Sequence, residues 1–338
     1  MSITTNQSRA YRLQKLTGLS GLEPSTGAIP KPSAGEVLVR VRATALNFRD
    51  LLILEGKYHA PVRPNAIALS DAAGEIVDVG EGVTRFATGD RVTNSFFPDW
   101  IDGPYEHHYD GYSAQLDGWL TDYRVVPESA LIHMPDNLSF VEAATLPCAA
   151  VTAWSALKGV QPGDTVLTQG SGGVSLFSIQ FAKALGARVI ATTSSDARRD
   201  QLIRVGASEV VNYVTHPEWS KQVRELTNGR GADRIVEVGG PGTFQESVKA
   251  VAMGGQVTMV GVLAGLIGTI DFMSMFMSQA RYQPIALGSR NDLETLIECV
   301  RTNDIHPVID SLFKFDEAKL AYERLMTRNV FGKVVITH

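Results

Sequence analysis

The chain has 338 residues, of which 44% are hydrophobic and 20% are charged, and its formal net charge is −5 at pH 7. That length predicts about two domains with a large buried core, and the composition excludes a disordered chain, a collagen-like repeat and a coiled coil. The 31 basic residues form no Lys/Arg run, so we expect no nucleic-acid partner. The two cysteines are too few for a disulfide framework or a four-cysteine zinc lobe.

The chain carries no signal for a membrane or for secretion. No apolar run approaches the ~20 residues that a membrane-spanning helix needs. The first residues, MSITTNQSRAYRLQ, lack the apolar segment of a signal peptide. We therefore expect a cytoplasmic protein without membrane contact.

The first 127 residues contain short runs of alternating apolar and polar residues, a pattern that predicts β-strands. These strand and turn segments are residues 36–43, 74–80 and 88–92. One helix is expected at 48–54, with Asn47 placed to cap it. The stretch 94–117, rich in aromatic residues, Asp and Gly, is predicted to be a loop.

From about Phe140 the pattern changes to strands that alternate with helices of roughly ten residues. The predicted strands are residues 163–170, 186–192, 209–213, 234–238 and 255–260. The predicted helices are residues 141–158, 175–185, 197–205, 293–301 and 316–328, before a last strand at 333–337. This alternation is typical of βαβ units and of a parallel sheet that is covered on both faces.

The strongest local signal is the glycine turn Gly170-Ser171-Gly172-Gly173-Val174, between a predicted strand and a predicted helix. Its glycines permit a tight turn and the close approach of a pyrophosphate, and the helix N-terminus supplies free N–H groups. A purely structural turn is the alternative for a bare glycine triplet. The order strand, turn, helix favours dinucleotide binding.

The end of the next predicted strand bears on which dinucleotide is bound. An NAD site favours an acidic residue there, whereas this chain has Thr193 and Ser194, followed by Arg198. Hydroxyl and guanidinium groups suit a 2′-phosphate, so we predict NADP(H) rather than NAD(H). A solvated surface charge is the alternative for Arg198. Tyr213 is a candidate to pack on the adenine or to bond the phosphate, with a structural role as its alternative.

Together these residues resemble the medium-chain dehydrogenase/reductase superfamily, in its zinc-free quinone reductase and enoyl reductase branch. The resemblance runs along nearly the whole chain and includes, besides the glycine turn, the segments LNFRD (46–50), SDAAG (70–74), GDRV (89–92), LPC (146–148), TAW (152–154), VGGPG (238–242) and FGKVVI (331–336). It implies an α/β fold: a Rossmann domain with a doubly wound parallel sheet at 128–287, and a mostly β GroES-like catalytic domain built from 1–127 and 288–338. It also implies a homodimer.

The same resemblance bears on metals. Zinc-dependent members bind a catalytic zinc through a cysteine, a histidine and a second cysteine, and the corresponding positions here are Asn47, Ser70 and Cys148. Only one good ligand remains where about three are needed, so we predict no zinc, and no flavin. Without a metal to polarise an alcohol or ketone, acceptors that are already electrophilic are favoured, such as quinones or α,β-unsaturated carbonyls.

The resemblance also assigns candidate catalytic roles to three residues. Asn47 is expected to bond the nicotinamide or a substrate oxygen, with helix capping as the alternative. Asp50 is expected to pair with an arginine or to orient its neighbours. Tyr58 follows the Asn-x-x-Asp motif and Gly56 with the spacing of enoyl thioester reductases. Its phenol is therefore a candidate to protonate or hydrogen-bond an enolate, with packing or substrate contact as the alternative.

Further cofactor contacts are expected from the resemblance. Thr152 is expected beside the nicotinamide, and the strand end Val260-Gly261-Val262 is expected to meet the carboxamide through backbone groups. The other candidates lie in segments that resemble cofactor-contacting parts of the family, namely Gly239, Ser289, Arg290 and Lys333. For Arg290 and Lys333 the expected partners are phosphates, with ordinary surface roles as the alternative.

We therefore predict an NADPH-dependent, zinc-free oxidoreductase that passes hydride to a quinone or an α,β-unsaturated carbonyl. An alcohol or aldehyde dehydrogenase of the same superfamily is the alternative among enzymes. A non-catalytic NADPH-binding protein is the alternative of another class. The expected partner in each enzymatic case is a small electrophilic substrate.

Overall fold

The computed structural model describes residues 7–106 and 108–338, which form two compact units. The first unit comprises the described residues up to Ala149 together with Ser289–His338, and the second comprises Ala150–Gly288. The first unit therefore extends beyond the boundary predicted at residue 127. The physical reason is that Leu131–His133 pairs with Arg91–Asn94 and so completes the first unit's sheet.

Strands and helices of the described residues are numbered in chain order. The strands are β1 (Gln7–Leu13), β2 (Leu22–Ala28), β3 (Glu36–Ala45), β4 (Asp71–Val79), β5 (Arg91–Asn94), β6 (Tyr123–Pro127), β7 (Leu131–His133), β8 (Thr165–Gln169), β9 (Arg188–Thr193), β10 (Glu209–Asn212), β11 (Ala232–Glu237), β12 (Val251–Met259), β13 (Arg281–Pro284), β14 (Ile309–Lys314) and β15 (Lys333–Thr337). The helices are α1 (Phe48–Leu54), α2 (Phe140–Ala143), α3 (Val151–Ala156), α4 (Gly173–Ala184), α5 (Arg199–Val205), α6 (Trp219–Leu226), α7 (Pro241–Ala250), α8 (Phe272–Ser278), α9 (Arg290–Thr302) and α10 (Ala318–Met326).

The first unit is built around β3, which pairs antiparallel with β4, β6 and β15. The strand forms because its residues alternate: Val39 and Val41 are buried in the core, while Arg40 between them is exposed. A separate core cluster joins apolar residues of α1, such as Leu51, to those of α10 and β15, such as Val334. The C-terminal segment therefore completes the unit that the N-terminal segment begins.

The second unit is a six-stranded sheet in the order β10-β9-β8-β11-β12-β13, and every neighbouring pair is parallel. Counted from β8, this is the doubly wound order 3-2-1-4-5-6. The predicted Rossmann fold is thereby confirmed. The strand order reverses between β8 and β11, and the carboxyl ends of strands at such a reversal form the ligand crevice of this fold.

Most elements predicted from periodicity are present. The helix predicted at 48–54 is α1, and β8 to β12 overlap the five strands predicted in the second half. The single helix predicted at 141–158 is wrong, because the chain there forms α2, a π-helical turn at Leu146–Ala150 and α3. Pro147 has no N–H group with which to continue α-helical hydrogen bonding. Among residues 7–106 and 108–338, no helix has the length and apolar character needed to span a bilayer.

Gly118 provides a test of the packing in the first unit. A Cβ atom at Gly118 would lie 2.2 Å from the carbonyl oxygen of Leu69 and 2.4 Å from that of Ala68. We expect Gly118→Ala to destabilise the protein by about 1–3 kcal/mol and to lower the thermal midpoint by several degrees. Gly27→Ala is the matched control, because nothing lies within 4 Å of its added Cβ. Equal midpoints for the two variants in a calorimetric scan would contradict this packing.

Candidate active site

The glycine turn lies in the second unit, where β8 ends and α4 begins. Gly170 has a φ of +76°, which favours glycine, and its N–H donates to the carbonyl of Thr192 at 2.8 Å. Gly172 is the N-cap residue of α4, which begins at Gly173. A Cβ added at Gly170 or Gly172 would meet nothing within 4 Å. The turn therefore offers open backbone at a helix N-terminus, which fits the pyrophosphate of a dinucleotide.

The residues predicted to select the dinucleotide lie beside this turn. The guanidinium of Arg198 donates to the hydroxyl of Ser171 at 2.5 Å, so a positive charge lies against the glycine turn. Thr193 is buried, whereas Ser194 is exposed. Tyr213 follows β10, its side chain is partly exposed, and its N–H donates to the carbonyl of Thr193 at 2.9 Å. Ser194 and Arg198 thus place a hydroxyl and a cation near the end of β9.

A buried carboxylate that sequence reasoning missed lies at the end of β11. Glu237 is 1% exposed and accepts five hydrogen bonds. Its donors are the N–H groups of Gly239 (2.9 Å) and Gly240 (3.0 Å), the amide of Gln169 (2.7 Å), and the hydroxyls of Thr243 and Ser247. The carboxylate holds Gly239 against the end of β8. The sequence signal that could have found it was an acidic residue at the end of the strand ADRIVE, directly before Val238 and two glycines.

Some of the other groups predicted to contact the cofactor in the second unit already form hydrogen bonds within the protein. The N–H groups of Val260 and Gly261 donate to the carbonyl of Glu237, at 2.8 and 3.2 Å. Contact with a carboxamide is therefore left to carbonyl groups of this segment and to Val262, which is exposed. Thr152 is buried within α3.

A second group of predicted residues meets in the first unit, at the N-terminus of α1. Asn47 is the N-cap residue, and the carboxylate of Asp50 accepts its N–H at 2.7 Å. The ammonium of Lys333 is 4% exposed and donates to the side-chain oxygen of Asn47 and to the carbonyl of Leu46, at 2.6 Å for the latter. It also lies 4.0 Å from Asp71. The structure thus places Lys333 in a buried polar cluster of the first unit.

Burial raises the pKa of both carboxyl groups of this cluster. Burial raises the pKa of Asp50 to about 6, against the opposing effects of Arg49 and of the Asn47 N–H group. Burial also raises the pKa of Asp71, opposed first by the charge of Lys333. Asp50 lies 3.6 Å from the guanidinium of Arg49. Two cations and two carboxyl groups therefore share one desolvated region.

Arg49 is a further member that sequence reasoning did not single out. Its guanidinium donates to the phenol oxygen of Tyr58 at 3.3 Å and to the carbonyl of Tyr112 at 3.1 Å. The guanidinium carbon is 4.7 Å from the ring centroids of both Tyr58 and Phe96. An arginine in the mostly apolar helix FRDLLIL was the signal that could have pointed to it.

The positions that correspond to zinc ligands do not fit that metal. The hydroxyl of Ser70 donates to Asp71 at 2.7 Å, and the amide oxygen of Asn47 is bonded by Lys333. Burial raises the pKa of the Cys148 thiol far above its usual range, with a further contribution from Asp71. No cluster of three His, Cys, Asp or Glu side chains suited to a metal occurs among the described residues. Zinc takes thiolate, imidazole or carboxylate, and two of these three positions hold instead an amide and a hydroxyl, with an ammonium beside them.

Ser289 has a capping role that was not predicted, and the contacts of Arg290 agree with the alternative of an ordinary structural role. Ser289 caps α9: its hydroxyl accepts the N–H of Asp292 at 3.1 Å, and Asp292 accepts the N–H of Ser289 at 2.9 Å. Arg290 donates to the carbonyl of Ser129 at 3.2 Å and lies 3.4 Å from Glu294. The contacts described for both side chains are made within the first unit and serve helix capping and ion pairing.

Comparison with known proteins agrees with this architecture. Residues 33–136 match the family model of the alcohol dehydrogenase GroES-like domain, and residues 173–302 match that of the zinc-binding dehydrogenases. The chain is 40% identical to a zinc-type alcohol dehydrogenase-like protein of Schizosaccharomyces pombe, over 95% of this chain and 96% of that one. It is 31% identical to an acryloyl-coenzyme A reductase of Metallosphaera sedula, over 91% and 94% of the two chains.

A crystal structure of a Sinorhizobium meliloti 1021 protein described as an alcohol dehydrogenase superposes with a TM-score of 0.94. Its sequence is 36% identical, and the superposition covers 99% of this chain and 100% of that one. The fold shared by these proteins binds NAD(P), and the open backbone at Gly170 and Gly172 fits such a cofactor. The chain is therefore an oxidoreductase of the medium-chain dehydrogenase/reductase superfamily.

Proposed function

We propose that this oxidoreductase uses NADPH to reduce a quinone or an α,β-unsaturated carbonyl compound, without zinc. The observation that carries the proposal is the buried cluster at α1, where the ammonium of Lys333 donates to the amide oxygen of Asn47, at a position that corresponds to a zinc ligand. An alcohol or ketone needs its oxygen polarised by a strong electrophile. A quinone or enone needs only a positioned hydride and, for the enone, a proton at carbon.

The relatives support an activated alkene as one acceptor. The Metallosphaera sedula relative is named as an acryloyl-coenzyme A reductase, and an acryloyl thioester is an α,β-unsaturated carbonyl compound. In this chain Tyr58 is the proposed proton donor, and Asn47 is proposed to bond a carbonyl oxygen of the substrate or the nicotinamide. Asp50 positions Asn47 through the hydrogen bond to its N–H group.

NADP(H) is the proposed cofactor, and when bound it supplies the hydride. The backbone of Gly170, Gly172 and Gly173 is proposed to hold its pyrophosphate at the start of α4. Ser194 and Arg198 are proposed to bind the 2′-phosphate, because a hydroxyl and a guanidinium satisfy its oxygens while a carboxylate would repel them. The remaining proposed contacts, with adenine and nicotinamide, are Tyr213, Thr152 and Val262.

Turnover tests the reaction class. The purified protein is expected to oxidise NADPH with at least one acceptor among benzoquinones, 2-alkenals and cyclic enones, and to keep its rate after treatment with a zinc chelator. Absorbance of NADPH follows the reaction, and elemental analysis gives the metal content. Stoichiometric zinc with oxidation of alcohols would favour an alcohol dehydrogenase. Binding of NADPH without turnover of any acceptor would favour a non-catalytic protein.

Thermal shifts test the choice of cofactor. NADPH is expected to raise the thermal midpoint more than NADH at the same concentration, because a ligand that binds the native state more tightly stabilises it more. Arg198→Met is expected to weaken NADPH binding roughly tenfold and to leave NADH binding unchanged, through loss of a charge-assisted hydrogen bond. Arg204→Met, at an exposed arginine of α5, the helix that follows Arg198, is the control. Equal losses for both cofactors would contradict the role of Arg198.

We also propose that a second copy of the chain covers an apolar surface of the second unit. β13 is an edge strand of the six-stranded sheet, and an unpaired edge can pair with another chain. Large apolar side chains are exposed on α8 and on the segment before it: Leu266, Ile267, Phe272, Met273, Phe276 and Met277. A second copy can meet both features about a two-fold axis, which is the commonest symmetry of soluble oligomers. Several large exposed apolar side chains within one short stretch of the chain favour an interaction site there.

Light scattering after size-exclusion chromatography tests the dimer. The wild-type protein is expected to have a molar mass about twice that of one chain, because the commonest homo-oligomer is a dimer. Ile267→Asp, at a side chain that is 94% exposed, is expected to shift it toward the monomer. Leu320→Asp, at an exposed leucine of α10 in the first unit, is the control and should leave the mass unchanged. A monomeric wild-type protein would overturn the proposal.

A further inference from the structure

The turn after α1 brings Tyr58 back to the beginning of that helix. α1 ends at Leu54, and Gly56 follows with a φ of +66°, a conformation that favours glycine. A Cβ at Gly56 would also lie 3.1 Å from the carbonyl oxygen of Leu16. The chain therefore reverses tightly, and Tyr58 lies against Arg49, which is nine residues earlier.

Arg49 is held rigidly at this place. Its side chain is 10% exposed, and its guanidinium lies between the rings of Tyr58 and Phe96, 4.7 Å from each centroid. The guanidinium also lies 3.1 Å from the carbonyl of Tyr112 and 3.6 Å from the carboxyl of Asp50, and these oxygens fix its orientation. A planar cation with two ring contacts and two oxygen partners has little freedom to rotate.

The chemistry of arginine decides the direction of the hydrogen bond to Tyr58. A guanidinium has only donors, so the phenol oxygen must be the acceptor in the contact of 3.3 Å. The phenol proton therefore points away from Arg49. This leaves Tyr58 oriented as a donor toward a further acceptor.

We propose that Arg49 is a positioning residue for proton delivery by Tyr58, and this rests on the proposed reduction of activated alkenes. Addition of hydride at the β-carbon moves the alkene electron pair toward the carbonyl oxygen and forms an enolate. The enolate α-carbon then forms a C–H bond as the O–H bond of Tyr58 breaks, and water later returns a proton to the phenolate. Arg49 stabilises the negative charge that develops on the phenol oxygen, because a fixed cation is most effective where water is excluded.

Quinones provide an internal comparison for this role. Reduction of a quinone by hydride gives a hydroquinone anion, whose oxygen takes its proton directly from water. No proton needs to be delivered to carbon, so Tyr58 and Arg49 are needed for enones and not for quinones. A merely structural role of Arg49 would affect both acceptors alike.

The experiment compares the wild-type enzyme with Arg49→Met, Tyr58→Phe and the double variant. For 2-alkenals and enones, each single substitution is expected to lower kcat roughly 10²-fold with little change in KM, as for loss of a general acid. The double variant is expected to fall no further, because both substitutions remove one function. Quinone reduction is expected to stay within about threefold of the wild type where the general acid is not required.

Arg91→Met is the matched control. Arg91 also lies against an aromatic ring, 4.9 Å from the centroid of Phe140, and donates to the carbonyl of Leu138 at 2.6 Å. This variant is expected to leave the ratio of enone to quinone activity unchanged. Arg49→Lys is the second variant for the case in which Arg49→Met does not fold. It keeps the charge but not the planar fork, and it is expected to lose roughly tenfold in kcat for enones only.

A measurement without turnover accompanies the kinetics. With tyrosine labelled at Cζ by carbon-13, the resonance of Tyr58 is identified by its loss in Tyr58→Phe. It is expected to shift in Arg49→Met and to remain in place in Arg91→Met, because only Arg49 donates to the phenol oxygen.

The outcomes separate this inference from the proposed function. A wild-type enzyme that reduces neither enones nor quinones overturns the proposed function and this inference with it. An enzyme that reduces quinones alone overturns only the role of Tyr58 and Arg49. An active enone reductase in which the effects of the two substitutions multiply, or in which Arg49→Met lowers both activities equally, overturns the role of Arg49. An unshifted Tyr58 resonance in Arg49→Met does the same.

Discussion

The first unit depends on the burial of one ammonium group. A buried charge costs several kcal/mol unless oxygens surround it, so Lys333 must be matched by acceptors wherever it is placed. Here it reaches the carbonyl of Leu46, the amide of Asn47 and, at 4.0 Å, the carboxyl of Asp71. A backbone hydrogen bond connects the same two segments, because the N–H of Leu46 donates to the carbonyl of Val334 at 3.0 Å. The last strand is therefore tied to the start of α1, and the geometry of the candidate catalytic residues depends on both.

In the second unit the buried charge is negative, and neutral hydrogen-bond donors satisfy it. The carboxylate of Glu237 has no cationic partner among its described contacts, and five N–H and O–H donors satisfy it instead. Through Gln169 it connects the end of β8, where the glycine turn begins, to Gly239 at the end of β11. The two strands that flank the reversal of strand order are thus held together at their carboxyl ends. A preorganised backbone at this place is what a dinucleotide pyrophosphate requires.

Features that arise from neighbouring residues could be predicted, and features that join distant ones could not. The glycine turn and α1 are local patterns of glycine placement, capping and period, and both are present as predicted. Lys333 lies 286 positions from Asn47, so neither periodicity nor spacing could reveal their contact. Ser289 is a different case: the sequence Ser-x-x-Asp is a local capping pattern, so its capping of α9 could have been predicted from neighbouring residues.

The charge balance of the cluster at α1 bears on the proposed reaction without zinc. Arg49 lies 3.6 Å from Asp50, and Lys333 lies 4.0 Å from Asp71, so the two cations offset the two carboxyl groups. A divalent ion added to this cluster would have to displace Lys333 or leave an excess of positive charge in a desolvated region. Arg49 adds a fixed positive charge beside the phenol of Tyr58. The two cations act on their surroundings as hydrogen-bond donors, Arg49 to the phenol oxygen of Tyr58 and Lys333 to the oxygens of Leu46 and Asn47. Such donors suit the proposed reaction, in which negative charge develops briefly on a substrate oxygen or on a phenol.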